Sequence, residues 1–158
     1  MTGWRVGYAA GPAALIADIE KLQGQQVTGT CTIAQWAALE ALAGPQDFIV
    51  ESRRVFAQRR DHVLNLLGRS DRLQCGTPTG AFYVFPSCAR TVGLVTPGGR
   101  AITDDLAFAE ALLEEAEVAI VPGSSFGAEG SFRLSYAADT HTLTTACNRI
   151  VDFCAGLR

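Results

Sequence analysis

Two arginines are the side chains best placed to recognise a ligand. Arg133 stands between Phe132 and Leu134, shortly after the glycine-rich run Pro122-Gly123-Ser124-Ser125-Phe126-Gly127. Strand alternation puts Phe132, Leu134 and Tyr136 on one face and Arg133 and Ser135 on the other. A guanidinium placed there offers a planar fork that can grip a carboxylate through two N–H groups. An internal ion pair is the competing use. Arg5 stands between Gly3 and Gly7 in a segment, 4–10, that also reads as a strand, with Trp4, Val6 and Tyr8 on one face. Small neighbours let another group approach the backbone closely. Arg5 therefore reads as an anion contact, with a satisfied salt bridge as the alternative.

Other candidates carry less. His62 and His141 are far apart and read as a helix-surface residue and part of a helix entry. Ser124 and Ser125 lack the Gly-x-Ser-x-Gly elbow of a serine hydrolase. Gly98-Gly99 is too isolated to cradle a phosphate. Cys31, Cys75, Cys88, Cys147 and Cys154 form no Cys-x-x-Cys pair, so no metal site is expected and a disulfide framework is poorly supported. They read as buried, reduced thiols of a cytoplasmic protein. Twelve of the thirteen basic residues are arginine, and Lys21 is the only lysine.

The chain has 158 residues, 48% apolar and 18% charged, which excludes intrinsic disorder and suffices for a core without staples. A net charge of −3 argues against nucleic acid as a partner. Arg53, Arg54, Arg59 and Arg60 interleave with Glu51 and Asp61 and read as a solvated, ion-paired helix face. No apolar run is long enough to span a bilayer. The start, Met1-Thr2-Gly3-Trp4-Arg5, does not read as a secretory leader.

Helices are expected over 12–23, 33–43 and 47–67, the second ending at Gly44-Pro45. Leu15, Ile16, Ile19 and Leu22 form the stripe of the first, with Lys21 opposite. Ile33, Trp36, Ala37, Glu40 and Leu42 mark the second. Beyond Gly68, short strands are expected over 73–75, 81–85, 118–121 and 132–136. A helix capped by Thr103 is expected to bury Leu106, Ala109, Leu112 and Leu113. A last helix carries the stripe Leu143, Ala146, Cys147, Ile150, Val151, Cys154 and Leu157. Alternating strands and helices after residue 70 indicate a two-layer α/β sandwich. One strand and two helices at the start cannot bury their apolar faces alone.

Taken together, these motifs resemble the class I pyridoxal-phosphate aminotransferases. Met1-Thr2-Gly3-Trp4-Arg5-Val6-Gly7-Tyr8 is similar to the segment just after that family's cofactor lysine. Pro122-Gly123-Ser124-Ser125-Phe126-Gly127, then Gly130 and Phe132-Arg133-Leu134-Ser135-Tyr136-Ala137, is similar to its carboxylate-binding motif. Arg59-Arg60-Asp61, Pro78-Thr79-Gly80-Ala81-Phe82-Tyr83 and Thr103-Asp104 fit between them, in order. Ile33-Ala34-Gln35-Trp36 and Gly44-Pro45-Gln46-Asp47-Phe48 resemble the bacterial aspartate aminotransferases most.

The resemblance implies an α/β fold: residues 1–45 a remnant of the cofactor-binding large domain, residues 46–158 the C-terminal small domain with the long interdomain helix. It implies Arg5 on the phosphate of pyridoxal 5′-phosphate and Arg133 on the substrate α-carboxylate. The substrates would be an amino acid, aspartate or a related one, and a 2-oxo acid, and the parent a homodimer. The family's Schiff-base lysine would fall before residue 1, so no catalytic residue is assigned and the chain alone is expected to be inactive, holding no cofactor stably. Lys21 reads as a solvated surface residue. The alternative is a non-catalytic binding or interaction domain that kept the fold.

Overall fold

A strand exists only where a second strand pairs with it, and that condition decides the start of the chain. In this computed structural model, which describes residues 1–158, two compact units form, Met1–Glu51 and Ser52–Arg158. In the first unit the strand expected over 4–10 is not made, because no other segment pairs with it. Thr2–Trp4 instead forms a single 3-10 turn, and Arg5 closes it in the left-handed region at φ 52°. Pro12 sits just outside helix α1 (Ala13–Gln26), its fixed φ suited to a helix entry. Helix α2 (Thr32–Ala43) stops at Gly44.

The apolar stripes of these helices are mostly uncovered. Ala34 is the one fully buried apolar side chain of the first unit, while Leu15, Ile19 and Leu22 on α1 and Ile33, Leu39 and Leu42 on α2 face solvent. Trp36 is 68% exposed and Tyr8 82%. Helical periodicity identified these stripes; two helices and a turn supply no surface to bury them.

Helix α3 (Asp47–Leu67) begins in the first unit and continues into the second, where Val63, Leu66 and Leu67 enter the core. Strand β1 (Tyr83–Val84), helix α4 (Asp105–Ala116), strand β2 (Val121–Pro122), strand β3 (Phe132–Ser135) and helix α5 (Thr140–Gly156) follow. The sheet is antiparallel in the order β1-β3-β2, so β3 is its centre. Phe132, Leu134 and Tyr136 point into the core, as their alternation requires. Phe108 of α4 stacks on Phe132 at 5.5 Å and meets Phe153 of α5 edge-on at 5.6 Å. The expected strand over 73–75 reduces to one bridge, Gln74 to Ser87, and the expected 118–121 strand lies at Val121–Pro122.

Two details of α4 differ from expectation. Its cap is Asp104, whose carboxylate accepts the Ala107 N–H at 2.8 Å, and Thr103 only donates its hydroxyl to Asp104. With the helix starting at Asp105, the inward stripe is Phe108, Ala109, Ala111 and Leu112, and Leu106 and Leu113 are exposed. Helix α5 buries Leu143, Cys147, Ile150 and Cys154 as its period requires, and Phe153 with them. Just after it, Arg158 and Val95 exchange both backbone hydrogen bonds, at 2.8 and 3.0 Å.

All five cysteines are free, and the expectation of buried thiols holds at Cys88, Cys147 and Cys154 but fails at Cys31, which is exposed beside α2, and is met only in part at half-buried Cys75. Burial, joined by the nearby Asp105 charge, pushes the Cys88 thiol up to about 12. Burial pushes Cys147 and Cys154 to about 11. A thiol-specific aromatic disulfide reagent is therefore expected to label Cys31 rapidly and Cys88, Cys147 and Cys154 only on unfolding; rapid native labelling of the latter three would contradict this packing. The uncovered faces of α1 and α2 are expected to drive self-association above the 16.8 kDa monomer in sedimentation. Trp36→Glu with Leu39→Glu is expected to restore the monomer, and a monomeric parent chain would refute the expectation.

Candidate anion-binding site

The site begins with the pleat of β3. Arg133 and Ser135 lie on the face away from the core. Across the ladder Val121 of β2 faces Arg133, and Tyr83 of β1 faces Ser135. Tyr83 is thus the diagonal neighbour of Arg133 on the same face, within reach of a long side chain. The guanidinium carbon lies 4.4 Å from the Tyr83 ring centre and 4.4 Å from that of Phe126. Each such contact is worth about 0.5–2 kcal/mol. Phe126 is in turn braced by Phe85, edge-on at 5.8 Å.

Arg133 joins none of the ion pairs of the chain, which are made by Lys21, Arg60, Arg100 and Arg149 among the basic residues shown with acidic partners. The internal ion pair that competed as a reading of Arg133 is not made. Its half-buried guanidinium instead packs against two aromatic rings.

Phe126 is delivered by a tightly wound segment. Gly123–Phe126 forms a 3-10 turn that Gly127 closes in the left-handed region at φ 71°. Gly123 is required: a Cβ there would run into the carbonyl oxygens of Ala128 and Ser131. Its N–H donates to Ser131 at 2.7 Å, and Ala128 donates back to its carbonyl at 3.0 Å. Asp105, on the first turn of α4 and 2% exposed, accepts the Ser124 N–H at 2.7 Å and the Gly130 N–H at 3.4 Å. Burial alone would raise its carboxyl. The hydrogen bonds from Ser124, from Gly130 and from its own backbone outweigh burial and hold it below the ordinary carboxylate value.

Sequence reasoning missed Tyr83, Phe126 and Asp105. Asp105 had a signal, its acidic character in a first helical turn, which pointed to the helix dipole rather than to a loop distant in sequence. The contact of Tyr83 could be found only once the register of β1 and β3 was known, and that of Phe126 only once the fold of the Gly123–Phe126 turn was.

Arg5 lies in the first unit and Arg133 in the second. Arg5 is exposed and is not on a strand; it ends the 3-10 turn with its N–H donating to Thr2 at 3.3 Å. Lys21 pairs with Asp18 at 3.4 Å on the outer side of α1, its side chain 77% exposed. His62, expected on a helix surface, is half-buried: its Nε2 lies 2.7 Å from the Thr144 hydroxyl, which itself donates to the Thr140 carbonyl at 2.7 Å. His141 is exposed in the first turn of α5. Arg60 pairs with Asp61 at 2.8 Å, in keeping with an ion-paired helix face. No group of three His, Cys, Asp or Glu side chains converges to hold a metal, and no helix is long and apolar enough to cross a membrane.

The profile of the family "Aminotransferase class I and II" matches residues 1–150. An aspartate/prephenate aminotransferase of Cereibacter sphaeroides is 51% identical over 157 residues, covering 99% of this chain and 39% of that protein. The crystal structure of the Rhizobium meliloti aspartate aminotransferase superposes with a TM-score of 0.86 at 47% identity, covering 100% of this chain and 40% of that one. A Thermus thermophilus aspartate aminotransferase solved with maleate gives a TM-score of 0.75 at 38% identity, over 97% of this chain and 38% of its own. The chain thus spans about two fifths of the length of these relatives.

The lowered carboxyls set an acid limit on the second unit. Asp139, the cap of α5, is held low first by the Thr142 hydroxyl at 2.6 Å and then by the Thr142 N–H at 3.0 Å. Asp105 and Asp139 both start from 3.8 when unfolded, so their contribution is fully present above that pH and is lost as pH falls through the lower folded values. The thermal midpoint is expected to drop on acidification below pH 3.8, and less steeply in Asp105→Asn. An unchanged acid slope in that variant would contradict the assignment.

Proposed function

The chain belongs to the class I and II aminotransferases, and from that premise we propose that it is part of an enzyme moving an amino group between aspartate, or a related amino acid, and a 2-oxo acid. The observation that carries this reading is Arg133: a guanidinium 4.4 Å from each of two rings, outside every ion pair of the chain, with its fork available to a carboxylate. Bidentate capture of the substrate α-carboxylate would orient the amino acid about its Cα. Charge-assisted hydrogen bonds of this kind contribute about 1.5–3 kcal/mol each.

The family implies pyridoxal phosphate, and the residues present fit it in one respect. Arg5 is exposed and outside the ion pairs of the chain, so it can meet a phosphate. When bound, that cofactor supplies the electron sink that makes loss of the Cα proton feasible. Lys21 does not fit the role of its amine: it is exposed and paired with Asp18. A group that moves a proton must stand within hydrogen-bond reach of the donor and acceptor atoms. We therefore assign this chain binding and orientation, with no catalytic amine of its own and no stable hold on the cofactor. Residues 1–45 belong in this reading to the cofactor-binding large domain and residues 46–158 to the small domain. A cytoplasmic homodimer is the corresponding parent.

Two measurements test this. The chain mixed with pyridoxal phosphate, aspartate and a 2-oxo acid is expected to give no transamination; turnover unaided would overturn the reading. Fused behind the matching preceding segment of the Cereibacter sphaeroides relative, it is expected to transaminate. Arg133→Gln in that fusion is expected to lower kcat/KM for aspartate by roughly 100-fold or more, the loss of a two-bond charge-assisted contact. An unchanged kcat/KM would remove Arg133 from substrate binding.

A further inference from the structure

We propose that Asp105 is a positioning residue for the Arg133 fork, acting through the Gly123–Phe126 turn and the Phe126 ring. The proposal rests on the reading of Arg133 as a carboxylate site and adds what sets its geometry. The contacts run from the carboxylate to the turn and from the turn to the arginine. The Asp105 carboxylate accepts the Ser124 N–H at 2.7 Å and the Gly130 N–H at 3.4 Å, gripping the segment near both ends. Phe126 lies between those two anchors and places its ring centre 4.4 Å from the Arg133 guanidinium carbon. Tyr83 comes from β1, whose place is fixed by the ladder with β3, so it does not depend on this grip.

A buried carboxylate suits the task because it accepts from two backbone donors at once without donating. Its burial also makes each bond hard to exchange for water. A carboxamide in the same place keeps one accepting oxygen and presents N–H groups toward a backbone N–H. One anchor is then lost and the turn can relax. Arg133 would keep Tyr83 but lose a fixed Phe126, so its fork would sample more orientations and bind a planar carboxylate less well.

Nuclear magnetic resonance on this chain tests the idea without any ligand. The Arg133 Nε–H and Cδ–H signals carry ring-current shifts from Tyr83 and Phe126, and Phe126→Leu gives their position when one ring is removed. Asp105→Asn is expected to move them most of the way to the Phe126→Leu position, and the double variant is expected to show no further change. Ser124→Pro deletes the nearer donor while leaving the carboxylate in place. It is expected to produce the same movement, and it decides the matter should Asp105→Asn fail to fold. Arg133 signals that stay at the parent position in the folded variants overturn the proposal.

Titration with maleate then separates the two readings. The parent chain is expected to show saturable shifts at Arg133 that vanish in Arg133→Gln, with binding weakened several-fold in Asp105→Asn. No maleate response in the parent chain would sink the carboxylate reading of Arg133. A full response in Asp105→Asn, equal to that of the parent, would sink the positioning role alone.

Discussion

The two-residue alternation of β3 is the constraint on which the second unit depends. Phe132, Leu134 and Tyr136 must face inward to meet Phe108 and the helices, so Arg133 and Ser135 must face out. A slip of one residue would bury a guanidinium and expose three core side chains. The cost of burying an unpaired charge makes that register untenable. The strand that secures the core thereby presents the arginine, and stability and recognition share one geometric cause.

The two units solve the burial problem differently. The second folds three strands and three helices around a continuous core from Val63 to Leu157. Its helices α4 and α5 are capped by Asp104 and Asp139. The first unit has the helices but not the surface they would pack against. Leu15, Ile19 and Leu22 on α1 and Ile33, Leu39 and Leu42 on α2 face solvent, whereas the corresponding stripe of α5 is buried. Amphipathic patterning records what a helix is built to meet, and says nothing of whether the partner surface is in the same chain.

Helix positions in the second unit were legible because 3.6-residue periodicity is local, as the bounds of α3 illustrate. The faces of β3 were legible for the same reason. The supposed strand over 4–10 was not, because strand formation is a property of pairs and residue pattern describes only one member. The inward face of α4 was only partly legible: Ala109 and Leu112 are buried as expected, but Phe108 and Ala111 stand where Leu106 and Leu113 were expected, since several overlapping stripes fit the same apolar run and the core selects one. At the site, Arg5 was visible between Gly3 and Gly7, and Arg133 as a charged residue on a strand that follows a glycine-rich run. The aromatic contacts of Arg133 and the grip of Asp105 on Ser124 were not, since they join positions brought together only by the sheet and the turn.

The paired backbone bonds between Arg158 and Val95 tie the residues just after α5 to a loop that precedes α4. The segment around Val95 also bridges locally to Ala101. One side of that loop is thus closed by neighbours and the other by residues far along the chain, and the distant closure carries the larger chain-entropy cost.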